Sequence, residues 1–105
     1  MSFNFNLTQI PDRKTKPRKS GITMVMDKGL SVEEAGNFMS ASGPHVDIVK
    51  LGFGTSFVTP NLKKKLEIYR SNDIPVYFGG TLFEAFLIRN QFEEYINTCR
   101  DFGIS

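Results

Sequence analysis

Three short apolar runs, each followed by a segment with helical periodicity, organise the chain from residue 22 onward. The runs cover residues 22–26, 46–51 and 76–78, and most of their positions are apolar or β-branched. Short apolar runs bounded by turn residues are typical of strands that are covered on both faces. Strands alternating with helices form βαβ units, which build parallel sheets with right-handed crossovers. The pattern therefore predicts an α/β fold with three parallel strands.

The first unit carries helix signals at both ends. Ser31 and Glu34 have the spacing of a capping box, and Gly43-Pro44 is a stop signal. These signals predict a helix over residues 32–41. Its buried face would consist of Val32, Ala35 and Met39.

The second and third units follow the same order. In the second, Thr59 suits the N-cap of a helix and Pro60 its first position. We interpret the three lysines at 63–65 as the solvated side of this helix, whose buried stripe is Leu62, Leu66 and Tyr69. After the third run, one long helix is predicted from apolar positions at helical spacing: Ala85, Ile88, Phe92, Tyr95, Cys99 and Phe102. Cys99 is then a packed core thiol.

Length and composition set the class of protein. With 105 residues, of which 40% are hydrophobic, the chain is sufficient for one small globular domain. No apolar run approaches the roughly 20 residues of a membrane helix, and the first residues lack the layout of a signal peptide. A single cysteine cannot build an internal disulfide framework. We therefore expect a cytoplasmic protein without a membrane partner.

Basic residues are concentrated in a leader, residues 1–20, which precedes the α/β domain of residues 21–105. Five of the 13 lysines and arginines lie in this leader, although the net charge of the chain is only +2. The cluster has no interleaved aromatic residues and no recognition-helix pattern. We interpret it as a solvated leader or a phosphate-facing lid, and we expect no nucleic-acid partner.

Residues suited to chemistry follow all three predicted strands. They are Asp27, Lys28 and Gly29 in the first unit, Lys50, Gly52, Gly54, Thr55 and Ser56 in the second, and Gly79, Gly80, Thr81 and Glu84 in the third. In parallel α/β folds the carboxyl ends of the strands and the N-termini of the following helices converge on one face, where ligands bind. We therefore expect one site at this edge.

Lys50 lies two residues before a glycine-rich turn, within a strand that the pattern predicts to be buried. A lysine in such a strand has to reach the edge with its ammonium group or pair with an anion. We predict an anion-binding or catalytic amine. The turns at residues 52–54 and 79–80 supply peptide N–H groups that can face an oxyanion, although neither turn matches a P-loop or a dinucleotide fingerprint.

Asp27 and Glu84 are the carboxylates best placed for Mg²⁺, which takes a few oxygen ligands together with substrate phosphate. A purely structural role stays open for both, because Asp is common in strand-to-helix turns and Glu is favoured in the first turn of a helix. His45 has no evident partner in the sequence. One histidine and one cysteine cannot form a zinc site.

Residues 16–30, 47–56 and 77–84 together resemble the phosphosulfolactate synthase family, with three motifs in the correct order. The resemblance implies a TIM (β/α)₈ barrel of which this chain is the first three βα units. It also implies the activity of the family, the Mg²⁺-dependent addition of sulfite to phosphoenolpyruvate to give (2R)-phospho-3-sulfolactate, an early intermediate of coenzyme M synthesis. The expected partners are these two small anions.

The resemblance also implies roles for individual residues. Lys50 is the first candidate for the general acid or an anion clamp, and Lys28 is the second. Arg18 would contact the phosphate or the sulfite, and Asp27 and Glu84 would hold Mg²⁺. The remaining substrate-binding candidates are Gly52, Gly54, Thr55, Ser56, Gly79, Gly80 and Thr81.

Three alternatives stay open at this stage. The chain alone would be an inactive part of the enzyme if later strands contribute to the site. A non-catalytic stress-protection or interaction protein could use the same scaffold. An open three-stranded sheet also exposes an edge and apolar faces, so a small anion-binding module completed by self-association into a homo-oligomer is the third alternative.

Overall fold

The structure, a computed structural model, describes residues 3–104. Its regular elements are β1 (Met24–Asp27), α1 (Val32–Ser42), β2 (Ile48–Leu51), α2 (Leu62–Ser71), β3 (Val76–Phe78), α3 (Gly80–Leu87) and α4 (Phe92–Asp101). Two short 3-10 turns, Gly43–His45 and Thr55–Phe57, precede β2 and α2. The alternation of strands and helices confirms the predicted α/β class.

The three strands form one parallel sheet in the order β1-β2-β3. Its register places Lys50 opposite Met26 on one side and Tyr77 on the other. One residue later, Leu51 lies opposite Asp27 and Phe78. Because successive side chains of a strand point to opposite faces, Lys50 lies on one face of the sheet and Asp27 on the other. This alternation decides which candidate residues meet.

The hydrophobic core lies on the Asp27 face. It joins the sheet to α1 and α2 through Ala35, Met39, Val49, Leu51, Leu62, Leu66, Tyr69 and Phe78, all of them buried. The predicted stripes of α1 and α2 are therefore confirmed at Ala35, Met39, Leu62, Leu66 and Tyr69. The opposite face carries Met24, Met26, Ile48, Lys50 and Tyr77, and we call it the open face. Met24 there is 48% exposed.

The first helix begins as the sequence predicts. The Ser31 hydroxyl accepts a hydrogen bond from the Glu34 N–H (3.1 Å), and the Ser31 N–H donates to the Glu34 carboxylate (3.0 Å), which completes the capping box. The first two strands start two residues later than their apolar runs, whereas β3 covers its predicted run, residues 76–78. The Thr23 N–H donates to the carboxylate of Asp47 at 2.8 Å, so regular pairing begins only after these residues.

The second helix was predicted to start at Pro60 and in fact starts at Leu62. The Thr59 hydroxyl does not cap a helix, because it donates backward to the Thr55 carbonyl at 2.7 Å. The residue at the N-cap is Asn61, whose φ of 55° is in the left-handed region. Thr59 and Pro60, which were assigned to the start of the helix, thus lie in the connection between the Thr55–Phe57 turn and α2.

The single long helix predicted after β3 is wrong, because the segment forms two helices. The chain turns between α3 and α4 at Asn90 (φ 55°), and the Gln91 N–H donates to the Phe86 carbonyl at 3.0 Å. Of the predicted stripe, Ile88 and Phe92 are exposed (78% and 51%), and the two helices pack on each other through Phe83 and Phe86 of α3. Phe83 and Tyr95 meet edge to face, with ring centroids 5.1 Å apart.

Residues 3–23 contain neither helix nor strand, and two arginines attach this segment to the amino edge of the sheet. Arg18 donates to the Asp47 carboxylate at 2.7 Å and to the Pro44 carbonyl at 2.9 Å. Arg13 donates to the His45 carbonyl at 3.2 Å. Within residues 3–104, no helix combines the length and the apolar character that crossing a bilayer requires.

Candidate functional site

Three loops meet at the carboxyl edge of the sheet. Backbone pairing continues past the strands: the Gly52 N–H donates to the Asp27 carbonyl (2.8 Å), and the Gly79 N–H donates to the Leu51 carbonyl (3.0 Å). A Cβ on Gly29 would lie 3.8 Å from the Thr55 side chain. The loops therefore form one continuous surface, residues 28–30, 52–56 and 79–81, which we call the rim.

Lys50 runs along the open face toward the rim and lies directly against Gly79. Its Cε atom is 2.9 Å from the position that a Cβ on Gly79 would occupy, and its Cγ atom is 3.7 Å from it. Glycine at residue 79 leaves room for this side chain. Lys50 is partly buried, as expected for a lysine that carries its ammonium group toward the edge of a sheet.

Lys28 is the second amine of the rim. Its Nζ lies 5.6 Å from the centroid of the Phe53 ring, within the range of a cation–π contact. Both residues are exposed. Phe53 has a φ of 56°, and Gly54, the next residue, has a φ of 71°. Two consecutive left-handed residues aim the ring toward the β1–α1 loop.

The glycine and hydroxyl residues of the rim differ in their packing and in their hydrogen bonds. A Cβ on Gly52 would lie 2.6 Å from Cγ of Met26, so this position has no room for a side chain. The Thr55 hydroxyl donates to the Gly52 carbonyl at 2.8 Å and so helps to form the turn. The Ser56 hydroxyl is buried and has no hydrogen-bond partner among the described residues. Ser56 is thus the rim hydroxyl with unused hydrogen-bonding capacity.

The third loop brings the N-terminus of α3 to the rim. Gly79 is the N-cap of this helix, and Gly80 and Thr81 follow as exposed residues of its first turn. A Cβ on Gly54 would lie 3.7 Å from the Thr81 methyl group. The first N–H groups of a helix have no partner within the helix, so this end can donate to an anion.

Asp27 belongs to a buried cluster on the helix-covered face and not to the open face. Its Oδ1 accepts the N–H groups of Gly29 and Leu30, both at 2.8 Å. Its Oδ2 accepts the Tyr69 hydroxyl at 2.7 Å and the Lys65 ammonium group at 3.0 Å. Each oxygen therefore already accepts two hydrogen bonds, which uses the ordinary capacity of a carboxylate.

Electrostatics keep this carboxylate ionised. Burial alone would raise the pKa of Asp27, but the hydrogen bonds from Leu30, Tyr69, Gly29 and Lys65 outweigh it and lower the pKa below its ordinary value. Burial and the negative charge of Asp27 raise the pKa of Tyr69, so this phenol keeps its proton. The cluster therefore consists of an ion pair, Asp27 and Lys65, and a neutral hydrogen-bond donor, Tyr69, and all three side chains are buried.

The interpretation of Lys65 as a solvated residue is wrong. Lys63 and Lys64 are exposed, whereas the Lys65 side chain is 1% exposed and donates to Asp27 and to the Leu30 carbonyl (2.9 Å). The signal was present in the sequence. Residue 65 lies three positions after Leu62 and four before Tyr69, so it falls on the buried stripe of the helix.

The two remaining candidates are Arg18, which does not reach the rim, and Glu84 of α3. Arg18 lies at the amino edge of the sheet, the end opposite to the rim, and its side chain is 4% exposed and paired with Asp47. It was grouped with the substrate-binding candidates by the family resemblance, and its position in the sequence does not show which edge of the sheet the side chain reaches. Glu84 lies on α3 and is exposed.

The described residues do not fit a magnesium site. Asp27 has its oxygens occupied by four donors from the protein, and it lies on the face of the sheet opposite to Lys50. No group of three or more histidines, cysteines, aspartates or glutamates between residues 3 and 104 has the geometry to hold a metal ion. Asp27 is therefore described better as a structural carboxylate.

An apolar cavity of about 320 Å³ adjoins the rim, between the Thr55–Phe57 turn and α3. Its walls are Phe53, Gly54, Phe57, Thr81, Leu82, Ala85, Phe86, Arg89 and Gln91. The cavity shares Phe53, Gly54 and Thr81 with the rim, and no motif in the sequence indicates it. It provides the rim with an apolar side wall.

Comparison with known proteins shows the family of this chain. The profile of the family described as (2R)-phospho-3-sulfolactate synthase (ComA) matches residues 11–105. Phosphosulfolactate synthase of Methanothermobacter thermautotrophicus is 43% identical over 95 residues, which are 89% of this chain and 37% of that protein.

Two further relatives agree with this match. The phosphosulfolactate synthase of Bacillus subtilis is 33% identical over 90% of this chain and 38% of its own length, and that of Methanocaldococcus jannaschii is 39% identical over 79% and 34%. The chain thus spans between a third and two-fifths of the length of these relatives. It belongs to the (2R)-phospho-3-sulfolactate synthase (ComA) family.

Proposed function

We propose that the whole protein to which these residues belong is a lyase that adds sulfite to phosphoenolpyruvate and forms (2R)-phospho-3-sulfolactate. In this proposal the chain supplies the first three βα units of a TIM barrel. The family match and the parallel sheet support it. The open face supports it too, because in a complete barrel this face would line the interior and be covered by side chains of the other strands. The reaction would serve coenzyme M synthesis.

The observation that supports the proposal most strongly is the path of the Lys50 side chain. This lysine leaves the open face of the central strand and passes over Gly79 to the rim, where three loops converge. Catalytic residues of (β/α)₈ enzymes lie at this end of the strands. An amine there can act on a small anion held by the loops.

The chemistry requires one new bond and one proton. The sulfur lone pair of sulfite forms a C–S bond to C3 of phosphoenolpyruvate, and the π electrons of the C2–C3 double bond move to C2 and the carboxylate. A cation close to this developing charge stabilises the transition state. The Lys50 ammonium group then donates its proton to C2 and regains one from solvent. Lys50 thereby serves as electrostatic stabiliser and general acid.

Other residues of the rim would bind the anionic groups of the substrates. Lys28 supplies a second positive charge, and the first turn of α3 supplies peptide N–H groups from Gly80 and Thr81. The Thr81 hydroxyl, at an exposed position, can donate to a phosphate or sulfite oxygen, whereas the Ser56 hydroxyl is buried and would contact a ligand only after the turn rearranges. Gly52 and Gly54 allow the backbone of the turn to approach a ligand closely.

Dependence on Mg²⁺ is a separate part of the proposal. Magnesium would supply charge neutralisation of the substrate carboxylate and phosphate. Because the described residues do not fit such a site, the ion is assigned to neither Asp27 nor Glu84.

The test is the disappearance of phosphoenolpyruvate in the presence of sulfite, catalysed by the full-length protein that carries these residues. We expect consumption that requires sulfite, and a product that contains sulfur and phosphate in equal amounts. The 105-residue chain assayed alone should be inactive, because the open face that carries Lys50 lacks its cover. A full-length protein without sulfite-dependent consumption would refute the enzyme and favour the non-catalytic alternative.

A further inference from the structure

The β1–α1 loop is tied to a helix that follows it by 35 to 42 residues in the chain. Asp27 accepts the N–H groups of Gly29 and Leu30, and it is itself held by Tyr69 and Lys65 of α2. The Lys65 ammonium group also donates to the Leu30 carbonyl at 2.9 Å. Both sides of the loop are thereby anchored to the core.

Lys28 lies within this anchored stretch, although its side chain makes none of these bonds. The residues before and after it, Asp27 and Gly29, are joined by a hydrogen bond of 2.8 Å. This bond closes a tight turn whose outermost residue is Lys28. The turn directs the Lys28 ammonium group over Phe53, at 5.6 Å from the ring centroid. The position of this charge at the rim therefore depends on the buried cluster.

We propose that the cluster of Asp27, Lys65 and Tyr69 is a positioning device that fixes Lys28 at the rim. The inference rests on the proposed function, in which Lys28 binds an anionic group of the substrate. Asp27 and Lys65 are 2% and 1% exposed, so neither touches a ligand. They act through the loop, and Tyr69 acts through Asp27.

Tyr69→Phe is the variant that tests this role, because it removes one hydroxyl and keeps the ring in the core. Loss of a hydrogen bond to a buried carboxylate should loosen the loop, and we expect amide exchange at Gly29 and Leu30 to accelerate roughly tenfold. The Ala35 amide, which donates to Ser31 within the start of α1, should not change. Tyr95→Phe on α4 is the matched control and should leave all three amides unchanged.

Kinetics of the full-length protein supply a second readout. We expect Tyr69→Phe to raise KM for phosphoenolpyruvate about tenfold with a smaller change in kcat, because a misplaced Lys28 weakens binding. In a Lys28→Met background the same substitution should change KM less than about twofold. A residue that acts only on overall stability would not show this coupling.

The outcomes separate this inference from the function on which it rests. An active protein in which Tyr69→Phe leaves Gly29 and Leu30 exchange unchanged would overturn the positioning role, as would an equal rise of KM in both backgrounds. If Tyr69→Phe does not fold, Lys65→Arg, which keeps a cation beside Asp27 but alters the bond to the Leu30 carbonyl, is used in the same exchange experiment with the same expectation. A wild-type protein that does not consume phosphoenolpyruvate with sulfite would overturn the proposed function instead.

Discussion

The side chain of Lys50 occupies the space that a side chain on Gly79 would need. The Lys50 Cε atom lies 2.9 Å from the position of a Cβ on Gly79, and the Leu51 carbonyl oxygen lies 3.1 Å from the same position. The absence of a side chain at residue 79 is therefore a steric condition for the amine to reach the rim. Gly79 does not have a positive φ (its φ is −78°), so close approach and not backbone conformation requires glycine here.

Gly79→Ala should displace Lys50 and lower activity. The new methyl group would collide with a side chain and with a backbone oxygen that cannot move freely, and overpacking of this kind costs about 1–3 kcal/mol. We expect the variant to fold with reduced stability and to lose most of its turnover in the full-length protein. The matched control is Gly36→Ala in α1, where the nearest atom is 4.0 Å away and alanine favours the helix. Wild-type turnover in Gly79→Ala would contradict the steric argument.

Lys65→Met should destabilise the fold far more than the same substitution at the neighbouring lysine, Lys64. The substitution leaves the Asp27 carboxylate buried without its cation, and removing one partner of a buried ion pair costs about 3 kcal/mol or more. Urea unfolding of the chain measures this difference. Lys64→Met, on the exposed side of the same helix, should change the free energy of unfolding by less than about 0.5 kcal/mol. Equal effects of the two variants would disprove the buried pairing.

Acid should weaken the attachment of the leader at Asp47. The Thr23 N–H and the guanidinium groups of Arg18 and Arg13 lower the pKa of Asp47 below its ordinary value. A carboxyl group with a lower pKa in the folded state binds fewer protons there than in the unfolded state. Its stabilisation is complete above the unfolded pKa and is lost as pH falls through the folded pKa.

The free energy of unfolding, measured against pH, tests this attachment. We expect stability to decrease below the ordinary range of aspartate, and Asp47→Asn to reduce the steepness of that decrease. Glu67→Gln, at an exposed position of α2, should retain the wild-type steepness. An identical acid dependence in Asp47→Asn and the wild type would show that Asp47 does not contribute.

The sequence predicted the order of the elements because each strand is a short apolar run and each helix has a periodic stripe. It also predicted that the strand ends meet, since parallel strands bring their carboxyl ends to one edge. Lys50, Gly52, Gly54 and Gly79 lie where this argument places them. That part of the site follows from topology alone.

The remaining differences depend on information that a linear pattern does not carry. Asp27 and Lys50 both stand at strand ends, but the register places them on opposite faces, and register is fixed only when strands pair. Lys65 is a different case, because its spacing from Leu62 and Tyr69 already placed it on the buried stripe, and the exposed lysines beside it led to the wrong interpretation. The break between α3 and α4 falls at Asn90, and no glycine or proline there marks it in the sequence.

Steady-state kinetics of Lys50→Ala in the full-length protein test the central claim most directly. If Lys50 protonates C2 and stabilises the developing charge, its loss should lower kcat for sulfite-dependent consumption of phosphoenolpyruvate at least about a hundredfold, in a protein that still folds. Lys64→Ala should keep the wild-type kcat. A Lys50→Ala protein with kcat within about twofold of wild type would contradict the account.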